Sequence, residues 1–445
     1  MGTTPPLQAS TSNPARSSLA SLLARADLPW LAAAVVVAVG LRIVWVAYVN
    51  VDPNDGRFDD SLFYHNVARG LAEKWEYADP FGRGLTAQWP PAYPAALAVL
   101  YKLFGFHLLL AKGLNIAFAA VTVALTYVTA RRVFGRWAAY LAALILAFFP
   151  GQIYFSTLVY AETMFAMVFM LVLLLVLVWT VQRPEACWWQ VLLIGVLIGL
   201  AGMVRVEGIF LVVVLGVLWA VTVRPWRTVA RYAVLVALGT VLAIAPWTVR
   251  NAVQLHQFVP LRTNMSNAVS RAVDPEFESP RLSETKPLGE SFRSLLTNSW
   301  RIVPSISENV QTLYENDADG IRRTQSASGS GTYQPPLSEK EVGFWWGLAN
   351  RYFFAAGGAA LAGATLCLLR RNRASLPIIV AAVGWTLLFG FVTPTTRYHF
   401  PVGPLIVIMA AGFIMFAWDG ANVAWWWLVR RSQPTVSEET AVPRR

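Results

Sequence analysis

The chain has 445 residues, 56% of them hydrophobic and only 14% charged, and its mean hydropathy is +0.49. Soluble domains carry roughly 25% charged residues, so a soluble enzyme is excluded and a polytopic membrane protein is expected, each span needing ~20 apolar residues. The formal net charge is +11, and the two cysteines, Cys187 and Cys367, are too few for a disulfide framework or a thiolate metal site.

Residues 1–27 are rich in Ser, Thr, Pro and Ala and read as a disordered tail, held on the cytoplasmic side by Arg16 and Arg25. Leu28 to Val49 is too long for a signal-peptide core and reads as an uncleaved first span, with Arg42 snorkelling outward near its end. The next loop, residues 50–93, emerges on the outer face and gathers Asp52, Asp55, Asp59, Asp60, Glu73, Glu76 and Asp79. Phe63, Val67 and Leu71 recur there at helical spacing, so Asp59 to Lys74 reads as an amphipathic helix on the membrane surface. Pro90 and Pro91 forbid a helix interior, and a partial or surface helix is expected from Pro94 to Phe106.

Alternating spans follow. His107 to Thr129 runs inward to Arg131, Arg132 and Arg136, and Trp137 to Phe149 returns outward to stop at Pro150-Gly151. Leu158 to Val181 goes inward to Arg183, leaving an outer hairpin that holds Glu162. Trp188 to Val204 and Ile209 to Val223 bracket VRVEG, which places Arg205 and Glu207 at an outer turn. Tyr232 to Trp247 exits outward and ends in PWTVRN, carrying Arg250; residues 28–251 thus form an N-terminal transmembrane module.

Residues 252–342 are the largest non-apolar stretch, with one amphipathic piece, Phe292 to Tyr314, and the low-complexity string SASGSG; they read as an extracytoplasmic segment. Residues 343–418 supply the C-terminal transmembrane helices, Gly343 to Leu369, Leu376 to Phe391 and Phe400 to Trp418, with Arg397, Tyr398 and His399 in the outer string TTRYHF. Residues 419–445 read as a second cytoplasmic tail.

One orientation places Arg in every short cytoplasmic loop, giving about ten transmembrane helices in the cell membrane with both termini inside. The positive charge is then a topology signal that meets anionic lipid heads. A nucleic-acid partner would need a basic stripe on a soluble face, which this all-α membrane chain lacks.

Ionisable residues at outer helix ends converge on one membrane face: Asp59, Asp60, His65, Glu162, Arg205, Glu207, Arg250, Arg397 and His399. The sequence contains no GxxxxGK[ST], no GxGxxG after a strand, no HExxH and no nucleophile elbow. Carboxylates and arginines beside lipid suit transfer of a sugar from a lipid phosphate. The leaving phosphate is a weak base and needs no general acid. A carboxylate takes the proton of the attacking hydroxyl, and arginine forks hold the departing phosphate. A divalent metal is compatible with such a site, and nothing in the sequence demands one.

The strings DSLFYHNVARGLAEKWEYADPF and TAQWPPAYPAALAVLYKLFG resemble the first outer loop of prokaryotic family 39-like glycosyltransferases, related to protein O-mannosyltransferases and lipid A aminoarabinose transferases within the GT-C superfamily. ARRVFGRWAAYLAALILAFFPGQIYFSTLVYAET, GLAGMVRVEG, APWTVRNAVQLHQFVPLRTN and TTRYHFPVGPL extend the resemblance over roughly residues 30 to 270 and 390 to 410. It implies an inverting transfer from a polyprenyl-phosphate sugar to a hydroxyl of a protein, lipid or polysaccharide, with an Asp of the first outer loop as base. That residue aligns with Asp60, four before Tyr64; the family often has an Asp-Glu pair here, and this chain has Asp59-Asp60-Ser61, so both aspartates stand as candidates.

Plainer roles compete at each position. Asp59 or Asp60 can cap the surface helix, Arg205 and Glu207 can pair with one another, and Arg250 and Arg397 can be interface residues beside aromatic belts. Against these, Arg250, Arg397 and Arg205 are assigned to the donor phosphate, and Glu162, Glu207, Tyr64, His65 and Tyr398 to supporting or acceptor-side positions. The rival from another class is a lipid or solute transporter, which would place its charges near the bilayer midplane on broken helices. A non-catalytic subunit of an envelope assembly is a third reading.

Overall fold

The structure is a computed structural model that describes residues 27–49, 51, 60–183, 185–223, 225–263, 303–326, 336–392 and 394–432, with a few isolated positions between 289 and 297. Asp59, residues 327–331 of the SASGSG string, nearly all of the expected N-terminal tail and residues 433–445 lie outside the described residues.

The chain runs through α1 (Leu28–Tyr48), α2 (Asp60–Lys74), α3 (Ala92–Phe104), α4 (Leu108–Phe134), α5 (Arg136–Ala147), α6 (Pro150–Tyr154), α7 (Glu162–Val176), α8 (Trp188–Val204), α9 (Leu211–Thr222) and α10 (Trp226–Leu255). After the segment 256–302 come α11 (Ile306–Tyr314), α12 (Asp319–Ser326), α13 (Glu339–Leu369), α14 (Leu376–Phe391) and α15 (Gly403–Ser432). All ten runs expected as spans form helices, but only seven are long and apolar enough to cross a membrane, or eight if the bent pair around Pro150 counts as one. Helices α8 and α9, expected as a pair of short spans, are 17 and 12 residues long and stand among the shorter apolar helices. At its far end α15 continues to Ser432, so the stretch expected as a tail from residue 419 begins as helix.

The bundle is built inside out relative to a soluble core. Large apolar side chains such as Val36, Val44, Leu109, Val217, Val241 and Leu361 point outward, while the packed interior is rich in Ala, including Ala138, Ala139, Ala142 and Ala143. Without a hydrophobic drive between helices in lipid, small residues that admit close backbone approach hold them together. On α8 a Cβ at Gly195 would meet the Val236 carbonyl oxygen at 2.4 Å, and on α10 one at Gly239 would meet that of Leu192 at 2.3 Å. At the α13–α15 crossing, a Cβ at Gly363 would lie 2.1 Å from the Met409 oxygen.

Proline has opposite effects in two places. Pro150 ends α5 and turns the chain by 53° into α6, because it lacks an N–H and its ring clashes with the preceding turn. The carbonyl of Ala147 freed by this break accepts from Arg42 Nη1 at 3.4 Å, and Ala38 O accepts from the same nitrogen at 3.0 Å. Arg42 therefore does not snorkel outward; it is buried and caps a broken helix. Pro246, expected to end its span near Trp247, instead sits inside α10, and Thr248 Oγ1 donates to Ile244 O at 3.1 Å beside it.

α13 starts on a capping box, with Ser338 N donating to Glu341 Oε2 at 2.8 Å. The amphipathic α2 lies along α3, pinned by Lys102 Nζ donating to Ala72 O at 3.0 Å and by Phe63 against Trp89 with ring centroids 4.2 Å apart. It delivers Asp60, its first residue, to the end of the bundle where the site forms.

Candidate active site

Asp60 stands in the first turn of α2, where the helix dipole favours an anion. Its Oδ2 lies 2.5 Å from Nη1 of Arg397, which is carried by the short 3-10 turn Thr396–Val402 between α14 and α15. The same nitrogen is 3.8 Å from Oε1 of Glu162, and that oxygen accepts from Arg205 Nη1 at 2.6 Å. Arg205 Nε is in turn 3.5 Å from Glu207 Oε2. Five side chains from four separate parts of the chain thus alternate in sign, Asp60, Arg397, Glu162, Arg205, Glu207, and sum to −1. All are sheltered: Glu162 is 3% exposed, Arg205 12%, Glu207 13%, Arg397 14% and Asp60 19%.

Local sequence explains the placement. Glu162 opens α7, so it sits at a helix N-terminus rather than in the middle of a solvated hairpin. Arg205 is the extended residue (φ −146°) that ends α8, and a single 3-10 turn, Val206–Phe210, then carries Glu207 back beside it. Tyr398 lies under Arg205 at 4.9 Å and beside Arg397 at 5.5 Å, its ring stacked on Phe389. These are cation–π distances.

Burial works against the ionisation of Asp60, but the Arg397 guanidinium outweighs it, aided by Arg323 and Arg205, and holds the carboxyl below its ordinary value. Tyr64, one turn along α2, is buried and faces the Asp60 and Glu162 anions, and these push its phenol well above the ordinary tyrosine value. It stays a neutral hydroxyl beside the carboxylates.

Two expected site residues stand elsewhere. His65 points into the α2–α3 seam, its Nδ1 2.6 Å from the Tyr101 hydroxyl. Arg250 clamps the loop after α2, with Nη1 donating to Thr86 O at 2.8 Å and Nη2 to Tyr77 O at 3.0 Å. It lines a separate cavity of about 290 Å³ with Trp75, Glu76, Tyr77, Trp247 and Gln254. Two neighbours were not foreseen. Tyr160, two residues before Glu162, carries Arg397 at 5.5 Å from its ring. His399 meets Asp317 at 2.8 Å, an acid of the expected extracytoplasmic segment, just past its amphipathic piece. Among the described residues no three His, Cys, Asp or Glu side chains gather to hold a metal ion.

Comparison with solved structures decides the architecture. ArnT from Cupriavidus metallidurans, bound to undecaprenyl phosphate, superposes with a TM-score of 0.55 at 19% identity over 90% of this chain. The chain has the GT-C fold. The archaeal oligosaccharyltransferase AglB from Archaeoglobus fulgidus, in complex with an inhibitory peptide and a dolichol-phosphate, superposes at 0.58 with 14% identity over 95% of this chain. This GT-C chain spans 63% of the ArnT chain and 52% of the AglB chain, under two thirds of either. Residues 88–249 match the family model described as dolichyl-phosphate-mannose-protein mannosyltransferase. No curated protein matches the sequence.

Proposed function

We propose that this protein is a membrane glycosyltransferase that moves a sugar, with inversion, from a polyprenyl-phosphate donor to a hydroxyl acceptor on the outer face of the cell membrane. The observation that carries the reading is the contact of Asp60 with Arg397: a carboxylate and a guanidinium fork share one sheltered position at a bundle end.

In the proposed step the acceptor O–H gives its proton to the Asp60 carboxylate while its oxygen attacks the anomeric carbon. The new C–O bond forms as the C–O bond to phosphate breaks, and polyprenyl phosphate leaves with the bonding electron pair. Arg397 meets the phosphate oxygens, with Arg205 next to it; both are preorganised, Arg205 between two carboxylates and Arg397 over Tyr160. A donor phosphate that draws Arg397 away from Asp60 also removes the cation that weakens Asp60 as a base. Donor binding then switches the base on. Arg250 already commits an N–H of each terminal nitrogen to the carbonyls of Thr86 and Tyr77 and stands apart from the charge chain, so it is placed behind Arg397 in this reading.

The reading is tested with membranes containing the protein and a polyprenyl-phosphate sugar labelled in the sugar. Label in an acceptor, together with released polyprenyl phosphate, is expected. Movement of intact labelled donor across the membrane with no transfer would instead support a transporter.

A further inference from the structure

The 3-10 turn that carries Arg397 is gripped from behind. His399, two residues along, is 3% exposed, with Nε2 2.8 Å from Asp317 Oδ1 and Nδ1 2.9 Å from Leu313 O. Its ring lies against Phe353 of α13 at 4.7 Å. Asp317 is itself held on three sides. Its N–H donates to Asn350 Oδ1 on α13 at 2.9 Å, its carboxylate bonds His399, and the second oxygen is buried against the backbone of Gly151, where a Cβ would lie 2.0 Å from Oδ2. One pair of side chains therefore ties the segment between α11 and α12 to α6, α13 and the Arg397 turn.

The hydrogen-bond count is unusual. A backbone carbonyl and an ionised carboxylate both only accept, and a neutral imidazole has a single N–H. Making both His399 contacts at once requires one proton more than a neutral imidazole beside a carboxylate carries, whichever of the two groups holds it. We infer that Asp317 and His399 form a one-proton clamp that fixes the Thr396–Val402 turn, and are positioning residues for Arg397.

Burial pushes the Asp317 carboxyl above its ordinary value, against the pull of His399, and Asp319 adds to the rise. The other titratable groups facing the pair are Tyr314 at the end of α11, Asp319 at the start of α12 and Tyr154 on α6, with Arg397 and Tyr398 on the turn itself. Asp319 is occupied by Arg322 and Arg323 and takes a hydrogen bond from Thr396 Oγ1 at 3.3 Å. Because the folded state holds the extra proton, the clamp is complete at low pH and opens as rising pH removes that proton. The turn then keeps Gln152 Nε2 on Phe400 O and Trp385 Nε1 on Tyr398 O, and loses its tie next to Arg397.

The significance for the site rests on the glycosyl-transfer reading, and the experiment separates the two. Full-length protein in nanodiscs is compared by hydrogen exchange across residues 396–402 from about pH 5 to about pH 9, corrected for intrinsic rates, as wild type, Asp317→Asn and His399→Phe. Wild-type protection falls about tenfold as pH rises, the effect of one buried hydrogen bond. Asp317→Asn keeps its protection at every pH, because the amide permanently supplies the hydrogen that a neutral His399 lacks. His399→Phe keeps the ring packing and loses about tenfold at every pH; should it not fold, the wild-type and Asp317→Asn profiles decide alone. A wild-type profile without pH dependence, or an Asp317→Asn profile that follows it, overturns the clamp. Transfer is measured on the same samples: no transfer with the exchange pattern intact removes the glycosyltransferase reading and leaves the clamp, and transfer without the pattern does the reverse.

Discussion

Arg397 and Asp60 are 337 positions apart in the chain, and Nη1 of one lies 2.5 Å from Oδ2 of the other. One arrives at the start of a surface helix, the other on a 3-10 turn near the far end of the sequence. Their pairing neutralises both at a sheltered position, and on the proposed mechanism it keeps Asp60 a weak base until another anion claims the arginine.

The pH profile follows from that pairing. On the proposed mechanism transfer requires ionised Asp60, and Arg397 holds the carboxyl below its ordinary value, so the acid limb of kcat/KM is expected below the usual aspartate range of ~4. In Arg397→Gln the lowering cation is gone while burial remains, and the acid limb moves up. Rates also fall, by ~10²–10³ for loss of a group that stabilises the leaving phosphate. Steady-state kinetics of both proteins across pH check the two effects together.

Glu162→Gln tests the middle of the charge chain. The glutamate is 3% exposed and serves Arg205 and Arg397 at once. Its loss takes one carboxylate from each guanidinium while Arg205 keeps Glu207 and Arg397 keeps Asp60, and ~1.5–3 kcal/mol of stability goes with it. Arg69→Ala removes one side of an exposed pair 3.9 Å long and should change stability by less than ~0.5 kcal/mol. Thermal melting in one detergent compares them.

Gly363→Leu tests the bundle without touching the site. A Cβ there has only 2.1 Å to the Met409 oxygen of the facing helix, so α13 and α15 must separate. Overpacking of ~3 kcal/mol or more is expected, seen as a lower melting temperature, whereas Gly357→Leu, where a Cβ meets nothing within 4 Å, melts like wild type.

What could be read from the sequence was local. Phe63, Val67 and Leu71 gave α2 away by their period, and the Asp60 end of that helix followed. The apolar runs marked their helices, with α8 and α9 the short pair in the structure as in the sequence. Arg42 looked like a snorkelling residue because the carbonyl it caps exists only through the break at Pro150, on another helix. Nothing near Arg250 in sequence announces Tyr77 O and Thr86 O, which accept from its terminal nitrogens. Asp317 was not singled out; its partner is 82 residues away. Contacts of that range are set by packing and leave no periodic trace.

The central claim, that Asp60 takes the acceptor's proton, is tested most directly by Asp60→Asn with donor binding and single-turnover transfer measured side by side. The asparagine keeps the size of the side chain and cannot accept the proton, so transfer falls by ~10²–10⁴ while the polyprenyl-phosphate donor still binds. An Asp60→Asn protein that transfers sugar at the wild-type rate would contradict the account.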